Sequence, residues 1–503
     1  IAWSTSDKAI ATVSDAGLVT ALKAGTATIS AKAGSKTATC VVTVTPKIIA
    51  VASISLDKTS ISLEELATQK LVASILPTDA TDKTVIWTSS AEEIATVVDG
   101  LVTAKKTGTA TITAKAGSAT AICEVIVTAP TAGTITVTGA KELYATGEYM
   151  VVSLEVTMSN GTKVNYADVN LTKGVNIPKG VTITGFDTST VGKKSGTITI
   201  DSKTSTINYV VYKAVDSEAT LRALLESKTE KTSIIIGLTK DITIATRYNV
   251  ARPFILYGIT SEADKNISIN TTADTRVFNF DASVSGCESL LNSSIEFHNI
   301  TMEVNSTGTY LRGNSFWGCG AINVIYDNAI LKTNNYYALH IAEENNGDHF
   351  TIKNKSIISG WAAINLWSSE TIIDIDNSTL IGTNNHPGIS NDFTTIAINA
   401  PKEGIAVLNN VINIKDSTIN AIANAADTYQ YCIDLRNESA KVNFSGANSV
   451  STVKKDVTNK TPCYIRGFAL TQIVGIESVT TTDVPPLPMF MTRAEVDAII
   501  VGK

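Results

Sequence analysis

Seven residues in the C-terminal half have types and spacing that would recognise a sugar. Ala338-Leu339-His340-Ile341, Ala363-Ile364-Asn365-Leu366, Ala397-Ile398-Asn399-Ala400 and Cys432-Ile433-Asp434-Leu435 align as successive strands. With Leu339, Ile364, Ile398 and Ile433 inward, alternation puts His340, Asn365, Asn399 and Asp434 in one outward column. Trp367 and Arg436 follow two residues later on the same face, and Trp361 has the same parity. Stacked strands hold such side chains about 5 Å apart. Trp offers a flat apolar plate, while Asn, Asp, His and Arg offer hydrogen bonds in fixed directions. The expectation is a shallow glycan-binding groove walled by loops 382–393 and 421–430. The alternative is a solvated face with Trp packed under loops.

Cleaving a glycan would need paired carboxylates, or a carboxylate-held Ca²⁺ with a basic group. Asp374 and Asp376 face outward beside inward Ile373 and Ile375, and Glu343 and Glu344 are adjacent on a loop. Both pairs read as solvated acids. His386-Pro387-Gly388 lies on a loop and His349 follows Asp348, with no second ligand at fixed spacing, so no metal site is expected. No cofactor is indicated, Ca²⁺ being the one ion left open. Cys432 and Cys463 lie about one coil apart, which leaves a disulfide between them open.

A repeating template must position these residues: apolar-x-apolar-x-[Asn/Asp]-x-x-apolar. Ile295, Phe297, Asn299 and Met302 meet it. So do Phe350, Ile352, Asn354 and Ile357; then Ile373, Ile375, Asn377 and Leu380; then Ile412, Ile414, Asp416 and Ile419. A further copy, Ile325, Asp327 and Ile330, has Asn323 at its first apolar place. Fixed strands with coils of variable length stack while their loops bulge outward. Asn299, Asp327, Asn354, Asn377 and Asp416 are read as turn formers. Each bend needs a residue that tolerates the left-handed region, and stacked amides bond each other. Upstream, Ser217 is placed to cap a helix with Leu221, Leu224 and Leu225 on one face, followed by Ile234-Ile235-Ile236. A short amphipathic helix leading into such strands resembles the N-terminal cap of right-handed parallel β-helix proteins of the pectate-lyase-like type. The pectinase motifs of that group (N-T-D, adjacent Asp-Asp, R-I-K, R-x-P-x-x-R) are absent here. At the far end, Thr492-Arg493-Ala494-Glu495 reads as a capping box for a helix with Val496, Ile499 and Ile500 on one face, expected to plug the open coil.

The N-terminal part is organised by a different repeat. Trp3-Ser4-Thr5-Ser6 matches Trp87-Thr88-Ser89-Ser90, Ile10-Ala11-Thr12-Val13 matches Ile94-Ala95-Thr96-Val97, and Cys40 matches Cys123. Gly17-Leu18-Val19-Thr20-Ala21 and Gly25-Thr26-Ala27-Thr28-Ile29 recur at Gly100 and Gly108. Short alternating blocks between Gly turns read as an antiparallel β-sandwich. These blocks resemble the bacterial immunoglobulin-like group 2 family. The second copy is whole; the first has no counterpart of residues 53–86, so a longer protein is expected. Gly185-Phe186-Asp187-Thr188-Ser189-Thr190-Val191-Gly192 is similar to a segment of the bacterial Ig-like group 3 family. Both resemblances imply stalk modules of surface or virion proteins, without catalytic groups.

Composition agrees. Of 503 residues only 17% are charged, 44% are hydrophobic, and the net charge is -6. A disordered chain and a nucleic-acid binder are both excluded. No apolar run approaches the ~20 residues of a membrane span. The reading is all-β: tandem Ig-like β-sandwiches followed by a right-handed parallel β-helix. Its parts are 1–46 (incomplete group 2 module), 52–129 (group 2), 131–213 (group 3-like), 214–480 (β-helix) and 481–503 (Pro-rich segment and short helix). The expected function is non-enzymatic: an extracellular stalk displaying a β-helix that binds a surface polysaccharide or a host or cell-surface protein. The alternatives are a phage fibre, spike or capsid decoration, a polysaccharide lyase or hydrolase, and a filament or surface-layer subunit. A homo-oligomer or larger surface or virion assembly is compatible with these.

Overall fold

A computed structural model describes the chain except for residues 263–264, 273, 275, 282–289, 307–311, 318–320, 335, 343–345, 384–392, 402–406, 423–429, 454–462, 482, 484–486 and 502–503. Glu343, Glu344, the His386-Pro387-Gly388 turn and most of the two walling loops lie outside the described residues, as do the side chains of Ile499 and Ile500.

The architecture is all-β. In the second module Ile86–Ser89, Gly108–Ala116, Ala119–Thr128 and Ser60–Glu64 form one sheet, closed over Leu71, Ala95, Val102, Ile112, Cys123 and Val125. The first copy repeats the register: Trp3 pairs Ala31 as Trp87 pairs Ala114. It holds three strands and a hairpin, with no strand beside Lys36–Val44 on the edge that Ser60–Glu64 covers in the second copy. Cys40 is therefore exposed, whereas Cys123 is buried.

The third module is also a sandwich, packed around Tyr144, Leu154, Val169, Ile198, Tyr209 and Val211. Its Gly-Phe-Asp segment has a packing cause. Phe186 stacks on Tyr209 (centroids 6.1 Å apart), and the Tyr209 hydroxyl donates to the Gly185 carbonyl. Gly196 lies under the Phe186 ring, where a Cβ would fall 2.3 Å from it.

The last strand of this module, Lys203–Val215, does not stop at the module boundary. Its final residues pair in parallel with Ile234–Leu238, Lys213 opposite Ile236. One sheet thus runs from the sandwich into the first face of the β-helix. From there three parallel sheets stack in coils. The first carries the template strands, such as Ser294–His298 and His349–Lys353; the second runs from Ile242–Ile244 to Val479–Thr481; the third runs from Tyr248–Asn249 to Phe490–Thr492. The core is aromatic near the start, with Phe280 on Phe316 and Phe297 on Tyr326, and aliphatic further along.

The turn column sits between the first and second sheets. Asn299, Asn354, Asn377 and Asp416 have φ of 55°, 55°, 48° and 47°, the left-handed values expected. Asp327 does not; Asn328 bends the chain there, at φ 49°, and donates its amide to the Asn299 side chain at 2.8 Å. The expected alignment of this copy is one residue early: Val324, Tyr326 and Leu331 pair with Ile295, Phe297 and Met302, so Val324, Tyr326, Asn328 and Leu331 meet the template, and in the next coil Ile358 rather than Ile357 continues the inward row.

Two expectations about the ends change. Helix α1 (Glu218–Leu225) starts at Ser217, but that hydroxyl bonds the Thr220 side chain at 2.8 Å rather than a backbone amide. Helix α2 (Arg493–Val501) has its capping box: Thr492 N donates to Glu495 Oε2 at 2.7 Å, and Glu495 N to Thr492 Oγ1 at 3.3 Å. It does not plug the coil. Val496 packs on Tyr431 and Cys463 outside the third sheet, while Leu487 and Ile476 cover the end of the main core. Cys432 bonds carbonyls inside the coil and Cys463 faces out, so adjacent rungs hold two free thiols.

Candidate ligand-binding face

Three of the seven residues proposed for the groove, His340, Asn365 and Asp434, share one side of the third sheet, while Trp361 precedes the strand Ala362–Leu366 and lies 5.3 Å from the Tyr336 ring. Ladder register orders them. Asn249, Asn279, Ser315, His340, Asn365, Ala397, Asp434 and Arg466 form one continuous column. Asn399 is displaced from it by two residues and belongs with Trp317, Trp367 and Arg436. The Ile396-Ala397-Ile398-Asn399 sequence admits both registers, because either isoleucine fills the inward place.

The expected open groove is corrected by burial. His340, Trp361, Asn365, Asn399 and Asp434 are all buried, and Trp367 and Arg436 are half-buried. Asn365, Asn399, Asp434 and Arg436 bond one another. Asn399 Nδ2 donates to Asn365 Oδ1 at 2.7 Å, and Arg436 Nη1 donates to Asn399 Oδ1 at 3.2 Å. Arg436 Nε then reaches Asp434 Oδ2 at 2.7 Å.

Asp434 is the centre of this end. Arg466 grips it with two bonds, at 3.0 and 2.7 Å, and Arg493 of α2 adds a third contact at 2.7 Å. Arg466 also lies on the Tyr431 ring, 4.1 Å from its centroid. Burial would raise the Asp434 carboxyl, but the guanidiniums win and hold it below the usual range.

The other end of the face is built differently. Arg276 Nη1 donates to Asn279 Oδ1 at 2.5 Å, and Asn279 to Asn249 at 3.0 Å. Arg312 lies 5.9 Å from the Tyr336 ring centre, and Tyr337 stacks on His340 at 5.5 Å. Burial and the two nearby guanidiniums push the His340 imidazole well below its ordinary pKa, so it is neutral. Arg276, Arg312, Ser315, Trp317, Tyr336, Tyr337 and Arg466 were missed by sequence reasoning. A signal existed: all eight arginines fall between 222 and 493, and none occurs in the Ig-like part.

The first sheet carries a second cluster. His298 lies between Glu296 (2.9 Å) and Asp327 (3.4 Å), with Tyr257 stacked on its ring at 4.5 Å. Both carboxylates raise the imidazole against burial, and Asp327 falls to about 2. Asp327 also accepts from Asn354, and Lys193 of the third module reaches Glu296 at 3.5 Å. Asp374, read as a solvated acid, is half-buried and held by His349 at 2.6 Å and Asn413 at 2.7 Å. Asp376 pairs Lys415 at 3.5 Å. Among the described residues no group of three or more His, Cys, Asp or Glu is placed to hold a metal ion, and no helix is long and apolar enough to cross a membrane.

Comparison with known proteins bears on the N-terminal part. Residues 50–125 match the bacterial Ig-like domain (group 2), and residues 5–46 match a bacterial Ig-like domain. An alpha-L-arabinofuranosidase of Bifidobacterium longum subsp. longum is 41% identical over 68 residues, which is 13% of this chain and 6% of that protein. The chain thus spans a small fraction of the curated relative it matches. Among solved structures, domains 4 and 5 of the S-layer protein SbsC align at 26% identity over 25% of this chain and 68% of that one, with a TM-score of 0.17. The four N-terminal Ig domains of Dscam1 isoform 6.9 align at 10% identity over 42% of this chain and 63% of that one, with a TM-score of 0.20.

Proposed function

We propose that the chain is part of an extracellular protein, on a bacterial surface or a virion, whose Ig-like modules carry a β-helix that binds a surface glycan. The bacterial Ig-like matches support a non-enzymatic surface or structural protein. The glycan reading rests on one observation. The third-sheet face gathers arginine with Trp317, Tyr336, Tyr337 and Trp367 at its accessible edges, and such a mixture of flat apolar rings and forked donors suits pyranose rings and their oxygens. Cleavage has less support, because Asp374 and Asp376 are engaged by His349, Asn413 and Lys415. An architectural role draws on the strand shared between the third module and the β-helix, which couples the two without a linker.

The test is binding of the whole chain to an array of neutral and acidic glycans, with the double variant Trp317→Ala, Trp367→Ala beside it. Loss of two ring contacts is expected to weaken binding about tenfold or more. Equal binding by the two proteins, or none by either, would remove the glycan reading.

A further inference from the structure

We infer that the Arg312 end of the third-sheet face is a subsite for one oxyanion, a carboxylate or sulfate, carried on a sugar ring. This deepens the glycan reading above and rests on it for the ring.

The floor is Ser315 and His340. They are register partners on neighbouring strands, so they stand about 5 Å apart. Both are more than nine-tenths buried, at 0% and 6% exposure, and among the described residues neither Ser315 Oγ nor His340 Nδ1 has a hydrogen-bond partner. The walls are Arg276 and Arg312, half-buried, and each leaves its buried Nε without a partner. Four buried polar atoms on three neighbouring coils thus lack a partner among the described residues, and both guanidiniums act on His340; each buried orphan costs roughly 1–3 kcal/mol.

Charge points the same way. Asp274 reaches Arg247 at 3.4 Å, and Asp274 and Asp281 together supply the negative field at Arg276. Arg312 faces only the phenols of Tyr336 and Tyr337 among the described residues. Among the described residues three guanidiniums therefore share two carboxylates, and a desolvated cation without a counter-charge is unfavourable. An oxyanion supplies what is missing. It brings the negative charge and acceptor oxygens for two Nε–H groups, the Ser315 hydroxyl and the Nδ1–H tautomer of a neutral His340. Tyr337 lies nearly parallel to His340, with 20° between the planes, and gives the sugar ring a plate at the rim.

Thermal shift and calorimetry on the whole chain at fixed ionic strength test this, with sodium sulfate, glucuronate, glucose 6-sulfate and glucose as probes. Wild type should bind glucuronate or glucose 6-sulfate at least about tenfold more tightly than glucose, Arg312→Gln should lose that preference, and Ser315→Ala, which keeps the fold, should weaken it severalfold. Stabilisation by sulfate that Arg312→Gln abolishes, with no sugar bound, keeps the anion subsite and removes the glycan reading. Glucose bound as well as its acidic forms, with Ser315→Ala and Arg312→Gln without effect, overturns the subsite and leaves the glycan reading intact. No response to any probe overturns both.

Discussion

At one end of the third-sheet face three guanidiniums converge on the Asp434 carboxylate; at the other, Arg276 and Arg312 lie near a neutral imidazole, His340, paired in register with Ser315. The residue type, the sheet and the outward direction are the same. What differs is whether the protein supplies the counter-charge. Where it does, the arginines tie strands and α2 together, and the cluster is structural. At Arg312 it does not among the described residues, and the Nε groups of Arg276 and Arg312 are left there without acceptors, which is the state expected of a binding site. Burial alone would have ranked the two ends alike.

The largest effect should come from taking the counter-charge away. Asp434→Ala leaves Arg466 buried beside Arg436 and Arg493 with their shared acceptor gone. The cost of breaking such a buried cluster is about 3–5 kcal/mol. It should appear as a lower urea midpoint with little change in slope, and α2 should lose hydrogen-exchange protection, since Arg493 is one of its ties to the sheet. A variant as stable as wild type would mean that the two ends do not differ in the way argued.

Asp348 offers the same contrast with the sign reversed: a buried carboxylate with no cation beside it among the described residues. Oδ1 accepts from Ile322 N at 3.0 Å, and Oδ2 has no partner. Burial raises its pKa from 3.8 to about 7. Between those values the folded chain holds a proton that the unfolded chain has released, so stability falls as pH rises through the window. The loss between pH 4 and 7 is up to about 4 kcal/mol. Asn410 does the equivalent work two coils on with an amide, accepting from Thr371 N at 2.9 Å and donating to the Ser368 carbonyl at 2.7 Å. Asp348→Asn should therefore raise the melting temperature at pH 7 and flatten the slope between pH 4 and 7. An unchanged slope would show that this carboxylate is solvated in the folded protein.

How much of this was legible in the sequence follows from which forces act in one dimension. The template strands of the first sheet were readable because Ile373 and Ile375, or Ile412 and Ile414, alternate with polar residues, and a parallel coil buries one side of each strand. The repeat of the N-terminal modules was equally plain. Register was readable only where it was unique. Cys432-Ile433-Asp434-Leu435 fell in place, whereas Ile396 and Ile398 allowed two alignments and put Asn399 in the wrong column. The burial of the face was not legible at all. His340, Asn365 and Asp434 are residues that usually meet solvent, and nothing local says that they will meet Ser315, Asn399 and Arg466 from other coils instead. The missed signal was compositional: arginine confined to the β-helix, where forked donors suit buried partners better than lysine does.

The smallest expected effect is also the one that separates the two ends most cleanly. Arg312→Met keeps much of the side chain's apolar length and removes a desolvated cation that faces no carboxylate among the described residues. It should leave stability unchanged or raise it by about 1 kcal/mol in the absence of ligand. The matching change at the other end, Arg466→Met, strips Asp434 of its two-bonded partner and should destabilise by several-fold more than that gain. Opposite signs for one substitution at two places on one face follow only if the protein balances charge at Asp434 and leaves it for a ligand at Arg312. Equal losses in chemical denaturation would instead make Arg312 a structural residue like Arg466, and the face would then be a closed polar core along its whole length.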